Sequence, residues 1–293
     1  MSLIDRGEVE RAIEEFSKIF GREASVELLS ITGRVITLRF SGSMCETCGV
    51  SDYFIDLVHI LEEVSGAPHT LWRYEEVRGP RFQVWIARLD FLGELMKAVE
   101  EVRPIVEERI RSFEEAGGDE ESLFRELCFC ILTANYTAEG GMKIQEALGR
   151  GLLTLEREKL SGELRRLGHR YPEARAEYIV EARRLHGRLK ETLRNMDEME
   201  AREWLVREVK GLGYKEASHF LRNTGSKNLA ILDRHILRFL WGKGLITEVP
   251  RGLSKSLYMR LEALMRAIAG RMGITPAELD LYIWYMMTGK ILK

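Results

Sequence analysis

Apolar residues recur at helical spacing at Val9, Ile13, Phe16 and Phe20, which predicts a helix over residues 6–21. The period then shortens. Residues 26–29 and 34–40 read as strands, joined as a hairpin through Ser30-Ile31-Thr32-Gly33. Beyond Ser41-Gly42-Ser43, the apolar positions Phe54, Leu57, Val58 and Leu61 mark a helix over residues 52–64. Two further strands, 70–74 and 82–89, flank the turn at Gly79-Pro80. From Phe91 onward helical spacing takes over almost throughout. Residues 91–113 carry Leu95, Val99, Val102, Val106 and Ile110, with Pro104 expected to kink or divide the helix. Residues 120–134 bury Leu123, Leu127, Cys130 and Ile131. A helix starting at Pro172 buries Tyr178, Ile179 and Ala182, and another covers 200–209. Later helices are expected over 234–240 and, behind Ser254, over 255–271. The last helix has Thr275 as N-cap, Pro276 at its first position and Glu278 closing a capping box, and it runs to Gly289. The expected fold is mainly α over residues 91–293, preceded by a small α+β domain over residues 1–90.

A chain of 293 residues, 45% of them apolar, is long enough for one large or two moderate domains with a real core. No run of eighteen apolar residues suggests a membrane span, and Met1-Ser2-Leu3-Ile4-Asp5 lacks the basic-then-apolar pattern of a secretory signal. An intracellular, cytoplasmic protein is expected. The formal net charge of −2 conceals an uneven spread. Residues 1–90 hold 10 Lys/Arg against 15 Asp/Glu, and residues 91–200 hold 18 against 23. Residues 201–293 hold 16 against 8, a basic region that suits a phosphate-binding face. Asn and Gln are scarce beside Arg and Glu, a thermophile's balance. Of the four cysteines, Cys128 and Cys130 fall on an apolar helix and read as small core groups. Cys45 and Cys48 have the spacing of two reduced structural thiols, half a metal site or a redox pair; His59 and His69 are the available further ligands. The strand, Gly, Cys-x-x-Cys and amphipathic helix together are loosely similar to the small scaffold domains of iron–sulfur assembly proteins.

The candidate chemistry lies in the basic region. Gly211-Leu212-Gly213-Tyr214-Lys215 separates two helical stretches, and the paired glycines permit a tight turn and close backbone approach. Exposed N–H groups at the start of the second helix can hold a phosphate. Lys215 sits in the first turn of that helix, the end that disfavours an ammonium and so favours a neutral, nucleophilic amine. An exposed lysine or a phosphate contact is the plainer reading. Asp233 ends the apolar run Leu229-Ala230-Ile231-Leu232 just before a helix, where it reads as an N-cap, as a carboxylate opposite Lys215, or as both.

The stretch Gly211-Leu212-Gly213-Tyr214-Lys215-Glu216-Ala217-Ser218-His219-Phe220-Leu221-Arg222-Asn223, followed by Ala230-Ile231-Leu232-Asp233-Arg234-His235-Ile236-Leu237, closely resembles the archaeal 8-oxoguanine DNA glycosylase/lyase family of the second type. That family belongs to the helix-hairpin-helix base-excision superfamily. The resemblance covers roughly residues 95–293 and leaves out the first ninety. It implies a bifunctional DNA glycosylase and abasic-site lyase acting on double-stranded DNA that contains oxidised guanine, near the nucleoid, with no cofactor required for the chemistry. It further implies Lys215 as nucleophile and Asp233 as the stabilising carboxylate. Gly211, Gly213 and Tyr214 would contact DNA, and a Na or K ion would sit on the backbone carbonyls of Arg207, Val209 and Leu212. Asn135, in Thr133-Ala134-Asn135-Tyr136-Thr137, would be a DNA-contacting asparagine, or else a helix cap. Trp284 would stack on the extruded base, though a tryptophan on a late helix is commonly core. Lys293, the last residue, would take part in recognising the guanine, where an ordinary terminus would fray. The four-cysteine iron–sulfur loop of some related glycosylases has no counterpart in the spacing here. Two other readings stay open: the same chemistry on another damaged base, and a non-catalytic helix-hairpin-helix DNA-binding protein.

Overall fold

The computed structural model describes residues 3–292 and divides into two compact units. The first takes the residues up to Glu101 together with Arg234–Ile274. The second takes Val102–Asp233 together with the residues from Thr275 onward. Among the described residues no helix is long and apolar enough to cross a membrane.

In the first unit, Asp5 caps α1 (Arg6–Phe20) by accepting the Gly7 N–H at 3.2 Å. Strands β1 (Ser25–Thr32) and β2 (Val35–Ser41) follow, then a 3₁₀ turn at Ser43–Glu46 and helix α2 (Val50–Ser65). Strands β3 (His69–Val77) and β4 (Arg81–Arg88) complete an antiparallel sheet of order β1-β2-β4-β3. The first hairpin is tighter than its sequence suggests. Residues 30–32 belong to β1, and the chain turns at Gly33 (φ 58°) and Arg34, because a bulge between Leu28 and Ser30 carries the ladder further. One sheet face, with Ile36, Leu38, Phe40, Val84 and Ile86, packs with Val9 and Phe16 of α1 and with Phe54, Leu57 and Leu61 of α2. Helices α12 (Arg234–Gly242) and α13 (Lys255–Met272) belong to the same unit. Arg34 donates to the Lys243 carbonyl at 2.8 Å, and Arg271 pairs with Glu62 at 2.5 Å. Cys45 is half-buried and Cys48 exposed; burial pushes the Cys45 thiol up. No group of three His, Cys, Asp or Glu side chains is placed to hold a metal among the described residues.

Helix α3 (Leu92–Gly117) begins in the first unit and ends in the second, and Pro104 lies inside it without dividing it. The second unit is helical. Asp119 caps α4 (Glu120–Thr133) through the Ser122 N–H, and Thr137 caps α5 (Ala138–Leu148) through the Gly140 N–H. Then come α6 (Gly151–Thr154), α7 (Arg157–Arg166), α8 (Pro172–Ala182), α9 (Leu189–Arg194), α10 (Glu198–Glu208), α11 (Tyr214–Arg222) and finally α14 (Pro276–Thr288). Its core gathers Leu127, Phe129, Ile131, Ile179, Leu205 and Phe220, with Cys128 and Cys130 buried among them. Tyr178, expected inside, is only half-buried, with one edge of its ring against Gly211.

Candidate active site

The hairpin is built locally. Asp197 and Glu200 close a capping box at the start of α10, and α10 ends at Val209. The Leu212 N–H donates to the Val209 carbonyl at 3.2 Å, tightening the turn into α11. Gly211 is required twice over. Its φ is 87°, and a Cβ there would lie 2.5 Å from the Tyr178 ring. Gly213, at φ −96°, is under no such constraint. Its N–H donates to the Glu216 carboxylate at 3.3 Å, a long bond that already takes one of the first-turn donors. Tyr214 is half-buried, and its hydroxyl donates to Glu203 on α10 at 2.7 Å, locking the two helices together.

Lys215 follows in the first turn of α11, 28% exposed, with Nζ 3.8 Å from a Glu216 oxygen. The segment that carries Asp233 is clamped at its start. Glu198 accepts the N–H groups of Lys227 and Asn228, each at 3.0 Å, and the Lys227 carbonyl accepts the Ala277 N–H at 3.1 Å. At its end Asp233 is half-buried, and its Oδ2 accepts the Trp284 indole N–H at 3.0 Å. One turn before Trp284 on α14 stands Asp280, wholly inside the protein. Its Oδ2 accepts from Arg222 at 2.8 Å, and each side chain is 4% exposed. Burial pushes the Asp280 carboxyl up to about 7 against the opposing pull of Arg222; Asp233 raises it further and Lys215 lowers it. Lys215, Asp233, Trp284 and the Arg222–Asp280 pair therefore share one electrostatic neighbourhood. Behind Arg222, its Nε donates to Asn223 at 3.0 Å, and Asn223 donates to Glu126 of α4 at 3.1 Å.

Asn135 ends α4 in the left-handed region at φ 60°, exposed to solvent. Asn tolerates that conformation better than most residues. The turn is clasped by its neighbours. Arg175 donates to the Ala134 carbonyl at 2.6 Å, and Tyr136 donates to the Gly168 carbonyl at 3.2 Å. The His169 Nε2 lies 2.9 Å from the Leu132 carbonyl, and its Nδ1 accepts the Tyr171 N–H at 3.0 Å. Those partners dictate a neutral ring with its proton on Nε2. Just beyond Asn135, Glu139 pairs with Lys290, which draws the tail after α14 towards the same turn. Lys293 lies outside the described residues.

Periodicity does not single out Arg222, Asp280, Asn223 or His169. Asp280 did carry a signal: it is a lone carboxylate in the apolar run Leu279-Asp280-Leu281-Tyr282-Ile283. A charge there must be partnered if the helix is buried on all sides. Arg222 and His169 carried none, since their partners lie far along the chain.

Residues 106–274 match the profile of the 8-oxoguanine DNA glycosylase family. A protein of Korarchaeum cryptofilum named 8-oxoguanine DNA glycosylase/AP lyase is 54% identical over 193 residues, taking in 66% of this chain and 92% of its own. A Thermotoga maritima protein of the same name is 50% identical over 206 residues, which are 70% of this chain and 99% of the relative. The crystal structure of the Thermotoga maritima 8-oxoguanine DNA glycosylase superposes with a TM-score of 0.66, again at 50% identity and over 70% of this chain and 99% of the other. The Methanocaldococcus jannaschii 8-oxoguanine glycosylase/lyase, solved in complex with a 15mer DNA containing 8-oxoguanine, gives 0.65 at 49% identity over 68% of this chain and all of the other. With half the residues shared across nearly the whole length of such relatives, and a hairpin, lysine and carboxylate in the arrangement described, the chain belongs to the 8-oxoguanine DNA glycosylase family.

Proposed function

We propose that the chain removes 8-oxoguanine from double-stranded DNA and then cleaves the strand at the resulting abasic site, with Lys215 as nucleophile and Asp233 as its carboxylate partner. The observation that carries this reading is the common neighbourhood of Lys215, Asp233 and Trp284 around the buried Asp280. The target nucleotide leaves the stack before reaction. Lys215 Nζ attacks C1′ and the glycosidic C–N bond breaks, its electron pair leaving with the base, which takes up a proton. Asp233 stabilises the positive charge that develops on the sugar. The nitrogen loses a proton, its lone pair forms the C1′=N bond of an imine as the C1′–O4′ bond breaks, and O4′ takes up a proton, which opens the ring. Loss of a C2′ proton then expels the 3′ phosphate, and water hydrolyses the imine to free Lys215.

The hairpin supplies grip. Backbone N–H groups around Gly211, Gly213 and Tyr214 would meet phosphate, with the Glu216 carboxylate giving way at its long bond to Gly213. Asn135, exposed on its clasped turn, would contact DNA beside the extruded nucleotide. Trp284 would stack on the base, and Lys293 would read its edge. A Na or K ion on the carbonyls of Arg207, Val209 and Leu212 fits the local chemistry. These are neutral oxygens at a helix end, where carbonyls lack intrahelical partners, and the Val209 oxygen keeps a second lone pair beyond its bond to Leu212. Such an ion would neutralise phosphate charge.

Borohydride reduction of an imine formed on lesion-containing duplex tests the reaction. The wild-type chain should become covalently attached to DNA. Lys215→Gln should lose both trapping and base release while still binding the duplex; retention of base release would overturn the assignment of the nucleophile.

A further inference from the structure

The first unit contains a cavity of about 630 Å³ between the outer face of the sheet and the segment that follows α12. Three of the chain's five tryptophans, Trp72, Trp85 and Trp241, line it, together with Arg73 and Arg260. The wall is built by a specific device. In β3, Leu71 pairs with Ile86 and Arg73 with Trp85, so Trp72 is an extra, bulged residue. Neighbours on a strand ordinarily face opposite sides, and the bulge turns both Trp72 and Arg73 to the cavity. Across the ladder Arg73, Trp85 and Thr37 form one row on this face. The Trp72 indole N–H donates to the Arg260 carbonyl at 2.8 Å, which fixes the ring. The Arg73 guanidinium carbon lies 3.3 Å from the centroid of the Trp85 ring. Arg73 also donates to Glu75 at 2.7 Å, yet its Nε is buried with no acceptor among the described residues. A buried donor without an acceptor is rare and calls for a partner. Trp241 is 54% exposed and leaves a π-face open to solvent.

Two of the three charged residues that line the cavity are arginines, Arg73 and Arg260. Residues 234–274, part of which forms the opposite wall, hold eight Lys/Arg against two Glu. One of those, Glu248, lines the cavity. Flat aromatic faces beside guanidinium groups, in a space of the size that takes small ligands, match a planar heterocycle carrying an anion. We propose that this cavity binds a single nucleotide unit, its base stacked on tryptophan and its phosphate met by Arg260 and Arg73. The unit comes either as a free nucleotide or as one unpaired residue of a DNA strand. The family profile begins at residue 106, so the sheet wall lies outside it, and none of the residues that line the cavity is among those proposed for excision.

Calorimetric titration of the full-length protein with dGMP, and with a short single-stranded oligothymidylate, tests this. Saturable binding of at least one probe is expected. Arg260→Glu and Trp241→Ala, both at exposed positions, should weaken it by about ten-fold or more. Arg260→Lys should restore part of the loss, and unchanged melting temperatures would exclude misfolding. Lys215→Gln should bind as the wild type does, and excision of 8-oxoguanine by the two cavity variants should be unaltered. Equal affinity for both probes assigns the site to the free nucleotide; tighter, salt-dependent binding of the oligonucleotide assigns it to a strand. No saturable binding of either probe, or affinities indifferent to Arg260 and Trp241, would overturn the proposal. So would binding that disappears in Lys215→Gln, since the ligand would then occupy the excision site.

Discussion

Trp284→Phe separates the bond that Trp284 makes to Asp233 from the stacking role proposed for it. The phenyl ring keeps a flat apolar face for a base but has no N–H to donate to Asp233, a bond of 3.0 Å. Hydrogen bonds to charged groups are worth roughly 1.5–3 kcal/mol net, and the half-buried setting of both residues puts this one at the lower end. At about 1.4 kcal/mol per decade of rate, loss of the donor should slow the chemistry about ten-fold. With Asp233 acting on the sugar as proposed, the fall should be equal on a duplex bearing 8-oxoguanine and on one with a pre-formed abasic site. Trp284→Ala removes the stacking face as well, and its additional loss should fall only on the substrate that has a base. Single-turnover rates on both duplexes measure this. A double-mutant cycle with Asp233→Asn adds a second check: if the indole acts through Asp233, Trp284→Phe should cost little more once the carboxylate is gone. A Trp284→Phe rate within about a factor of two of wild type on the abasic duplex would refute the reasoning and leave the indole as a stacking surface alone.

His169 is held neutral by burial, which depresses its pKa, and by the N–H of Tyr171 on its Nδ1. The unfolded chain therefore takes up this proton first as pH falls through about 6.5, so the stabilisation is present above that pH and lost below it. Buried His69 has the same direction. The melting temperature should drop between about pH 7.5 and pH 5, less steeply in His169→Gln, and an unchanged slope in that variant would show that His169 does not contribute. A fragment of residues 91–293 should still excise 8-oxoguanine but melt below the full chain. It loses the bonds from Arg34 to Lys243 and from Trp72 to Arg260, and the Glu62–Arg271 pair. A folded but inactive fragment would contradict this. Deleting Lys293 should slow excision of 8-oxoguanine much more than cleavage at an abasic site, where there is no base to recognise; equal losses in single-turnover assays would assign the tail to folding or DNA binding.

What the sequence determined by itself is what depends on near neighbours. The caps at Ser254 and Thr275, the glycine turn at Gly211, and the helix after Gly213 that carries Lys215 near its start are all set by hydrogen bonds and dihedral angles within a few residues. The paired pattern around Lys215 and Asp233 was likewise legible, because a lysine after a hairpin and a carboxylate just before a helix leave a local signature. Only the tertiary structure decided which distant groups meet. Arg222 finds Asp280 fifty-eight residues away, and Trp284 finds Asp233 across fifty-one. Periodicity marks a face as buried without saying what lies opposite. Pro104 shows the converse, a local breaker that lies inside one continuous helix. Residues 234–274 join the first unit, not the unit that holds Lys215, and Trp72 turns beside Arg73 through a one-residue slip in pairing. Register and partner choice arise from the summed burial of whole faces, and no short stretch of chain contains that sum.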